Sequence, residues 1–242
     1  CILDEENKTE IERLREIFRA PSLQMVSFTI TEKGYKTRAY MNKVVGLILE
    51  RYKAGALPIS IVSMDNCSHN GDKLKEAVVE IANEWVADGK CEKGFVDYVE
   101  NPKVVAFPLS MIDKITPRPD DTVKKMLEAD GVEGTEPIVT SKSTYVSNFV
   151  NAEETEYLVI EDLFPNGRPS LEKAGIIFTD RETVDKTEKM KVCTCLNPLH
   201  TALAIFGCLL GYKTIHDEMD DETLKKLVTT LGKEEGMKGL FT

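Results

Sequence analysis

The sequence predicts an α/β fold, in which a parallel sheet packed between helices is followed by a mainly helical region. Strand-like and helix-like patterns alternate through roughly the first third of the chain, which is typical of such sheets. From about residue 184 onward the patterns are helical. The composition, with 42% hydrophobic and 30% charged residues among 242, is that of a globular protein.

The first part of the chain alternates helix and strand. Charge patterning predicts a helix over 4–19, and alternating β-branched residues predict a strand over 24–31. An amphipathic helix is expected over 39–53, a buried strand over 58–64 and a further helix over 72–87. Because strands separated by helices usually pair in parallel, this order predicts a parallel sheet.

The rest of the chain has shorter segments and then long helical ones. We expect strands over 104–107, 157–161 and 175–179, a helix over 120–130, a polar loop over 131–144, and helices over 191–212 and 217–232. The change of pattern near 184 divides the chain into an α/β domain over 1–183 and a helical domain over 184–242, each expected to be part of a larger domain.

Charge and cysteine usage exclude several classes of protein. The net charge is −10 and the isoelectric point is near 5.0, and such a surface repels phosphate backbones, so we expect no nucleic-acid partner. No continuous apolar run reaches the ~18 residues of a membrane span, so we expect no membrane partner. The six cysteines, scattered from Cys1 to Cys208, do not form a secreted disulfide framework. We therefore expect a cytoplasmic protein.

A polar cluster, Asp65–Gly71, directly follows the strand predicted over 58–64. Ligands of open α/β sheets bind at the carboxyl ends of strands, so Asp65 and Asn66 are candidates for cofactor contact. The Asn66 amide could also polarise a substrate oxygen. Alternatively, these side chains only form turns and cap the next helix, and we expect that role for Asn70 and Gly71.

A second cluster, Lys191–His200, precedes a long apolar run. A lysine can accept a proton only as the neutral amine, so catalysis by Lys191 would need burial that lowers its pKa. Asn197 and His200 are three residues apart and share a face of a helix. The alternatives are a surface lysine, an Asn197 cap before Pro198, and a histidine that is simply satisfied within the core.

Other chemistries have less support in the sequence. Cys193 and Cys195 with His200, joined by Cys67 and His69, could be imagined as zinc ligands. Structural zinc sites use wider cysteine pairs, however, and we expect no metal. The sequence contains neither the glycine-rich dinucleotide fingerprint nor the phosphate-binding loop motif, and it has no nucleophile elbow.

Five segments, taken in order, resemble the mannitol dehydrogenase family of polyol and uronate long-chain dehydrogenases. They are Thr29–Tyr35 (TITEKGY), Ser63–Gly71 (SMDNCSHNG), Phe107–Pro117 (FPLSMIDKITP), Glu161–Pro169 (EDLFPNGRP) and Lys191–His200 (KVCTCLNPLH). The resemblance implies a Rossmann-type sheet domain followed by a helical domain, and metal-free chemistry with NAD or NADP. The variant over 196–204 (LNPLHTALA) looks closest to the branch that interconverts D-mannonate and D-fructuronate.

The resemblance also implies roles for individual residues. Lys191 matches the general base of the family, Asn66 and Asn197 match asparagines that hold the developing alkoxide, and His200 matches a histidine that contacts substrate. The family spaces its lysine five residues before the asparagine, whereas six separate them here, so we expect a one-residue π-bulge, favoured by Pro198.

The resemblance leaves several alternatives open. The substrate is a small sugar acid or polyol, so a tagaturonate or polyol dehydrogenase is the second candidate, and a non-catalytic sugar-acid-binding module is a candidate of another class. We expect the amino-terminal nucleotide-binding segment of the family upstream of Cys1, further residues between Tyr35 and residue 39, and further helices after residue 242. The sequence does not decide NAD against NADP, the oligomeric state or the direction of the reaction.

Overall fold

The computed structural model describes residues 7–30, 32–114, 119–139, 143, 145–152, 154 and 157–240. Several predicted features lie outside the described residues: Cys1, residues 4–6 of the first predicted helix, Thr31, residues 115–117 of a family-like segment, and residues 140–142 and 144 of the predicted loop. The chain forms two compact units, residues 1–111 with 159–242, and residues 112–158. The predicted domain boundary near residue 184 stays a prediction.

A three-stranded parallel sheet forms the centre of the first unit. Its strands are β1 (Met25–Phe28), β2 (Ile59–Ser63) and β3 (Val105–Ala106), in that spatial order. Val26 lies opposite Ile61, and Ser60 lies opposite Ala106. All residues of β2 are buried, as expected for a central strand covered on both faces. The predicted parallel α/β sheet is confirmed.

Five helices share one hydrophobic core with this sheet: α1 (Lys8–Arg19), α2 (Glu32–Tyr35), α3 (Arg38–Lys53), α4 (Asn70–Ala87) and α5 (Lys93–Glu100). Its least exposed side chains include Met41, Val45, Ile48, Ile59, Leu74, Val78, Ile81 and Phe95. These recur at helical or strand spacing, which is why the sequence pattern locates α3, β2 and α4 closely.

One charged residue is fully buried in this core. Arg51 of α3 donates hydrogen bonds of 2.7–3.2 Å to the carbonyl oxygens of five residues, namely Phe18, Ala20, Leu23, Leu57 and Pro58. Burial lowers the pKa of its guanidinium, but five carbonyl acceptors replace the lost water. The guanidinium thereby ties the end of α1 to the chain entering β1 and β2.

A second sheet has the order β4–β7–β8, with β4 (Ser110–Asp113), β7 (Tyr157–Glu161) and β8 (Ile177–Thr179). β7 and β8 are parallel, with Ile160 opposite Phe178. The N–H of Glu161 donates to Leu109 O at 2.9 Å, and Leu109 N–H donates to the Glu161 carboxylate at 3.0 Å.

The chain then becomes helical. The elements are α7 (Arg181–Glu188), a π-helix (Lys189–Leu196, here the π-segment), α8 (Asn197–Leu210), α9 (Ile215–Glu218), α10 (Glu222–Thr229), a second π-helix (Thr230–Gly236) and a 3₁₀ turn (Met237–Leu240). From Arg181 to Leu210 the helical run is continuous, and it is long and apolar enough to cross a membrane. Core helices of soluble proteins meet the same test, so this finding assigns no location.

The second unit contains α6 (Asp121–Ala129) and a two-stranded antiparallel pair, β5 (Ile138–Val139) and β6 (Tyr145–Val146). Asp120 caps α6 by accepting the N–H groups of Thr122 and Val123. The predicted helix over 120–130 is confirmed. The polar loop predicted over 131–144 is interrupted by β5.

The sequence pattern also missed other short elements, among them α5 and β4. α5 buries Phe95, Val96, Tyr98 and Val99, but it spans only eight residues after a charged turn. β4 lies in the proline-rich stretch and is four residues long. Elements this short contain only about two periods of their pattern, so periodicity alone does not detect them.

Candidate functional site

The turn after β2 is fixed by the buried carboxylate of Asp65. Asp65 accepts the N–H of Cys67 at 2.8 Å and the hydroxyl protons of Ser63 and Tyr35. Tyr35 comes from α2, so this cluster joins the turn to a separate helix. Since donors occupy both oxygens of Asp65, this side chain supports the turn, and its predicted contact with a cofactor stays a prediction.

Burial sets the protonation of the groups around Asp65. Desolvation, together with the hydrogen bond to Asp65, raises the pKa of Tyr35, which keeps its hydroxyl a donor. Burial likewise raises the pKa of the Cys67 thiol to about 11, with a further contribution from the nearby Asp65 carboxylate. Between Asp65 and Cys67, Asn66 is exposed, so its carboxamide is accessible at the carboxyl edge of the sheet.

The side chain of Asn70 holds the end of the turn through several hydrogen bonds. Its side-chain amide donates to the carbonyl oxygens of Ser63, Asp65 and Ser110, and its side-chain oxygen accepts the N–H groups of Gly71 and Ser110. These bonds join the carboxyl end of β2 to the start of β4 and the start of α4. The predicted turn-forming role of Asn70 is confirmed.

The π-segment carries Lys191, six residues before Asn197. The N–H of Asn197 donates to Val192 O, five residues earlier, and Thr194 Oγ donates to Lys189 O at 2.9 Å. A π turn takes about one residue more than an α turn, so it absorbs one extra residue between Lys191 and Asn197. Pro198 has no N–H to form the α-helical bond there. The predicted π-type insertion is confirmed.

The side chains of this region differ in exposure. Lys191 is half-buried, whereas Asn197 and His200 are exposed and three residues apart on α8. Cys193 is exposed and Cys195 half-buried, and both are free thiols. Within the ranges that the structure describes, no three histidine, cysteine or acidic residues are grouped to hold a metal ion.

Contacts between the turn and α7 join the two clusters. The backbone N–H of His69 donates to Glu188 Oε2 at 3.2 Å, and Glu188 is buried three residues before Lys191. Sequence reasoning missed this contact between His69 and Glu188, because a glutamate in a charged helix and a histidine in a polar turn both look solvent-facing. The structure thus brings together the elements that carry Asn66 and Lys191, while a joint site with Asn197 and His200 stays a proposal.

The mannitol dehydrogenase Rossmann domain model matches residues 4–173 of the chain. A D-mannonate oxidoreductase of Thermotoga maritima is 56% identical over 251 aligned residues, which cover 94% of this chain and 46% of that protein. The mannitol 2-dehydrogenase of Phaeosphaeria nodorum is 31% identical, with 89% of this chain and 39% of that protein covered. The chain thus spans less than half the length of these relatives.

Solved structures show the same fold. The crystal structure of a D-sorbitol dehydrogenase in substrate-free form superposes with a TM-score of 0.72 at 26% identity, covering 91% of this chain and 46% of that one. A Pseudomonas fluorescens mannitol 2-dehydrogenase, solved as a ternary complex with NAD and D-mannitol, gives 0.68 at 27% identity, covering 95% and 47%. The sheet domain is therefore of the Rossmann type, and the chain belongs to the mannitol dehydrogenase family.

Proposed function

We propose that the protein containing this chain is an NAD-dependent oxidoreductase that interconverts D-mannonate and D-fructuronate. The observation that carries this proposal is the 56% identity, over 94% of the chain, to a D-mannonate oxidoreductase. The polyol dehydrogenases among the relatives and solved structures are more distant, at 26–31% identity. The similarity therefore favours a sugar acid over a polyol as substrate.

Lys191 is proposed as the general base and acid. It is half-buried, and a lysine accepts a proton only as the neutral amine. In the direction of oxidation the neutral amine takes the proton of the substrate hydroxyl, and in reduction the ammonium returns it to the alkoxide oxygen. No metal is needed for this step.

Asn66 and Asn197 are proposed to donate hydrogen bonds to the reacting oxygen. Both side chains are exposed, one on the turn after β2 and one at the start of α8, so both are accessible to a substrate. Preorganised donors of this kind contribute roughly 3 kcal/mol each to transition-state stabilisation. His200, on the same face of α8 as Asn197, is proposed to bind a substrate hydroxyl or carboxylate.

Asp65 and Asn66 are proposed to lie beside one end of the cofactor. NAD, when bound, supplies the acceptor for the substrate hydride. Asn66 lies exposed at the carboxyl edge of parallel strands, where such sheets bind nucleotides, and Asp65 fixes the backbone beside it. The sequence has no glycine-rich dinucleotide fingerprint, so we assign no residues to the rest of the nucleotide.

The test is the absorbance change at 340 nm for the full-length protein with NADH or NADPH and one of three substrates: D-fructuronate, D-tagaturonate or D-fructose. We expect the highest kcat/KM with fructuronate and NADH. A preference for tagaturonate or fructose would identify a sibling dehydrogenase. Turnover of none of the three, with sugar acids still bound in calorimetry, would favour a non-catalytic binding module.

The role of the lysine is tested by Lys191→Ala. Loss of a general acid–base group lowers rates by about 10²–10⁴-fold, so we expect kcat to fall by that factor while NADH binding, measured by fluorescence, is retained. Lys186→Ala is the matched control, since Lys186 is an exposed lysine of α7 paired with Glu182. A wild-type rate in Lys191→Ala would remove the lysine from the mechanism.

A further inference from the structure

Two elements that carry groups of the proposed reaction are joined by charged residues that the reaction does not use. His69 lies on the turn that carries Asn66, and α7 leads directly into the π-segment that carries Lys191. The imidazole lies between the two elements. Its Nδ1 is 3.3 Å from Asp72 Oδ2 on α4, and its Nε2 is 3.2 Å from Asp185 Oδ1 on α7.

The backbone of His69 determines where its ring points. The residue has φ 52° and ψ 43°, a left-handed conformation that is uncommon for residues other than glycine. Its N–H donates to the buried carboxylate of Glu188. A strained conformation persists only where its surroundings hold it, so the contact with α7 is part of the shape of this turn.

Asp185 has one oxygen without a hydrogen bond. Its Oδ2 contacts Lys189 Nζ at 2.6 Å, which lowers the pKa of this carboxyl group, so that Asp185 is ionised. Its Oδ1 is buried and has no hydrogen-bond partner in the described part of the chain. The imidazole Nε2 of His69 faces this oxygen at 3.2 Å, although not in hydrogen-bond geometry. A buried charged oxygen is costly unless a donor reaches it.

The protonation state of the imidazole decides how many donors it offers. A protonated imidazole has an N–H on both nitrogens, whereas a neutral one has only one. Charged groups from several elements surround His69. They are Asp72 on α4, three residues of α7 (Arg181, Asp185 and Glu188), Lys189 in the π-segment, and Glu161 on β7. Arg181 forms ion pairs with both Asp72 and Glu161. These are four carboxylates and two fixed cations, so a protonated His69 adds a third cation.

We propose that His69 is a positioning residue. Its protonated imidazole bridges Asp72 and Asp185 and holds the turn bearing Asn66 in register with the π-segment bearing Lys191. This inference rests on the proposed function, because the register matters for rate only if these two residues act on one substrate. Loss of the proton leaves one of the two carboxylates without its donor, and the rate of the reaction falls.

The test compares wild type with His69→Asn in the full-length protein. Asparagine accepts the left-handed backbone but is too short to bridge two carboxylates. With fructuronate and NADH, the ratio of wild-type to variant kcat is measured from pH 5.5 to pH 8, the range in which histidines change charge. We expect a ratio of about 5 at the lowest pH, as for a coupled contact pair, that falls toward 1 as the pH rises, with KM for NADH unchanged.

The matched control is Lys186→Gln, which removes an exposed ion pair from the same helix. Its ratio is expected to stay near 1 at every pH. Combining His69→Asn with Asp185→Asn should lower kcat at pH 5.5 by no more than the larger single effect, because both remove the same bridge. A ratio that does not change with pH, or effects of the two substitutions that multiply, would overturn the proposal.

Amide hydrogen exchange without substrate separates this inference from the proposed function. At pH 6, peptides covering residues 64–73 should exchange faster in His69→Asn than in wild type. In Lys186→Gln their exchange rates should equal those of wild type. Equal exchange in both variants would show that His69 does not hold the turn, whether or not the protein turns over. If exchange is faster in His69→Asn but the wild-type protein is inactive on every substrate, the proposed reaction is refuted. His69 would then bridge the two elements without a positioning role in catalysis.

Discussion

The turn over residues 64–70 and the helical run from Arg181 to Leu210 hold their functional residues by different means. In the turn, Asp65 and Asn70 are buried, and their side chains form hydrogen bonds with residues of α2, β2 and β4. The helical run is mostly exposed, and the side chain of Leu209, for example, is 77% exposed. Its residues are placed by helix geometry, with one inserted residue setting the register of Lys191.

This difference teaches which changes each region tolerates. A site fixed by buried hydrogen bonds fails when one bonding or packing group changes, because the remaining partners stay buried and unsatisfied. A site fixed by helical register fails when the number of residues changes, because every following side chain then rotates about the helix axis by about 100°. Substitutions test the first region, and deletions test the second.

The largest effect on stability is expected from Gly71→Ala. A Cβ at this position would lie 2.5 Å from Phe107 O and 2.7 Å from Pro108 O, and both are backbone atoms that cannot rotate away. We expect the free energy of unfolding in urea to fall by about 2–3 kcal/mol, as for overpacked sites.

Gly46→Ala is the matched control for this substitution. Gly46 lies within α3, and the nearest atom to its added Cβ is Trp85 Cη2 at 3.8 Å, an ordinary contact. Alanine is the better helix former, so this variant should gain about 0.5–1 kcal/mol. Equal changes in the two variants would mean that the turn tolerates movement of the chain at residues 107–108.

A smaller effect is expected from deleting Thr194 in the π-segment. The deletion should convert this segment to regular α-helix and give the five-residue spacing of the family. We expect kcat with fructuronate to stay within about 10²-fold of wild type, since displacements of roughly 1 Å cost up to that factor.

The control deletion removes Ala204, an exposed residue in the regular part of α8. It rotates the following residues and moves Gly207, whose Cα lies against the buried side chain of Glu218. We expect this variant to melt at a lower temperature than the Thr194 deletion. If the two deletions lower the melting temperature equally, the π-segment does not act as an inserted residue.

The smallest effect concerns Cys67, whose pKa is raised to about 11. A raised pKa keeps the thiol protonated, so its alkylation rate by iodoacetamide should still rise about tenfold per pH unit between pH 8 and pH 10. A free cysteine derivative levels off above its pKa of about 8.5. Mass spectrometry of the Cys67 peptide gives the rate, and a plateau below pH 9 would contradict the buried environment of this turn.

The sequence was sufficient for the features that depend on local pattern. Periodicity located α3, β2 and α4, and the resemblance to the family, whose lysine lies one residue nearer its asparagine, implied the π-segment. The first three predictions succeed because buried residues recur at a regular spacing along a helix or strand. The last succeeds because an inserted residue changes the number of residues between two positions that match the family.

The features that the sequence missed depend on partners far along the chain. Arg51 is buried because carbonyl groups of residues 18–23 and 57–58 converge on it, and none of these is marked by its side chain. Glu188 is buried because the backbone of His69 reaches it, from 119 positions earlier. Such pairings need a fold before they can be recognised, and the local pattern of a charged helix predicts the opposite exposure.

Arg51 affects how much of the protein folds, and it lies away from the proposed site. Its five carbonyl partners lie where the chain enters β1 and β2, at the end of these strands opposite the turn that bears Asn66. Changes at this residue would therefore reduce how many molecules reach the native state in a cell. The molecules that do fold would keep their affinity for substrate, so a loss of function traced to residue 51 would be one of abundance.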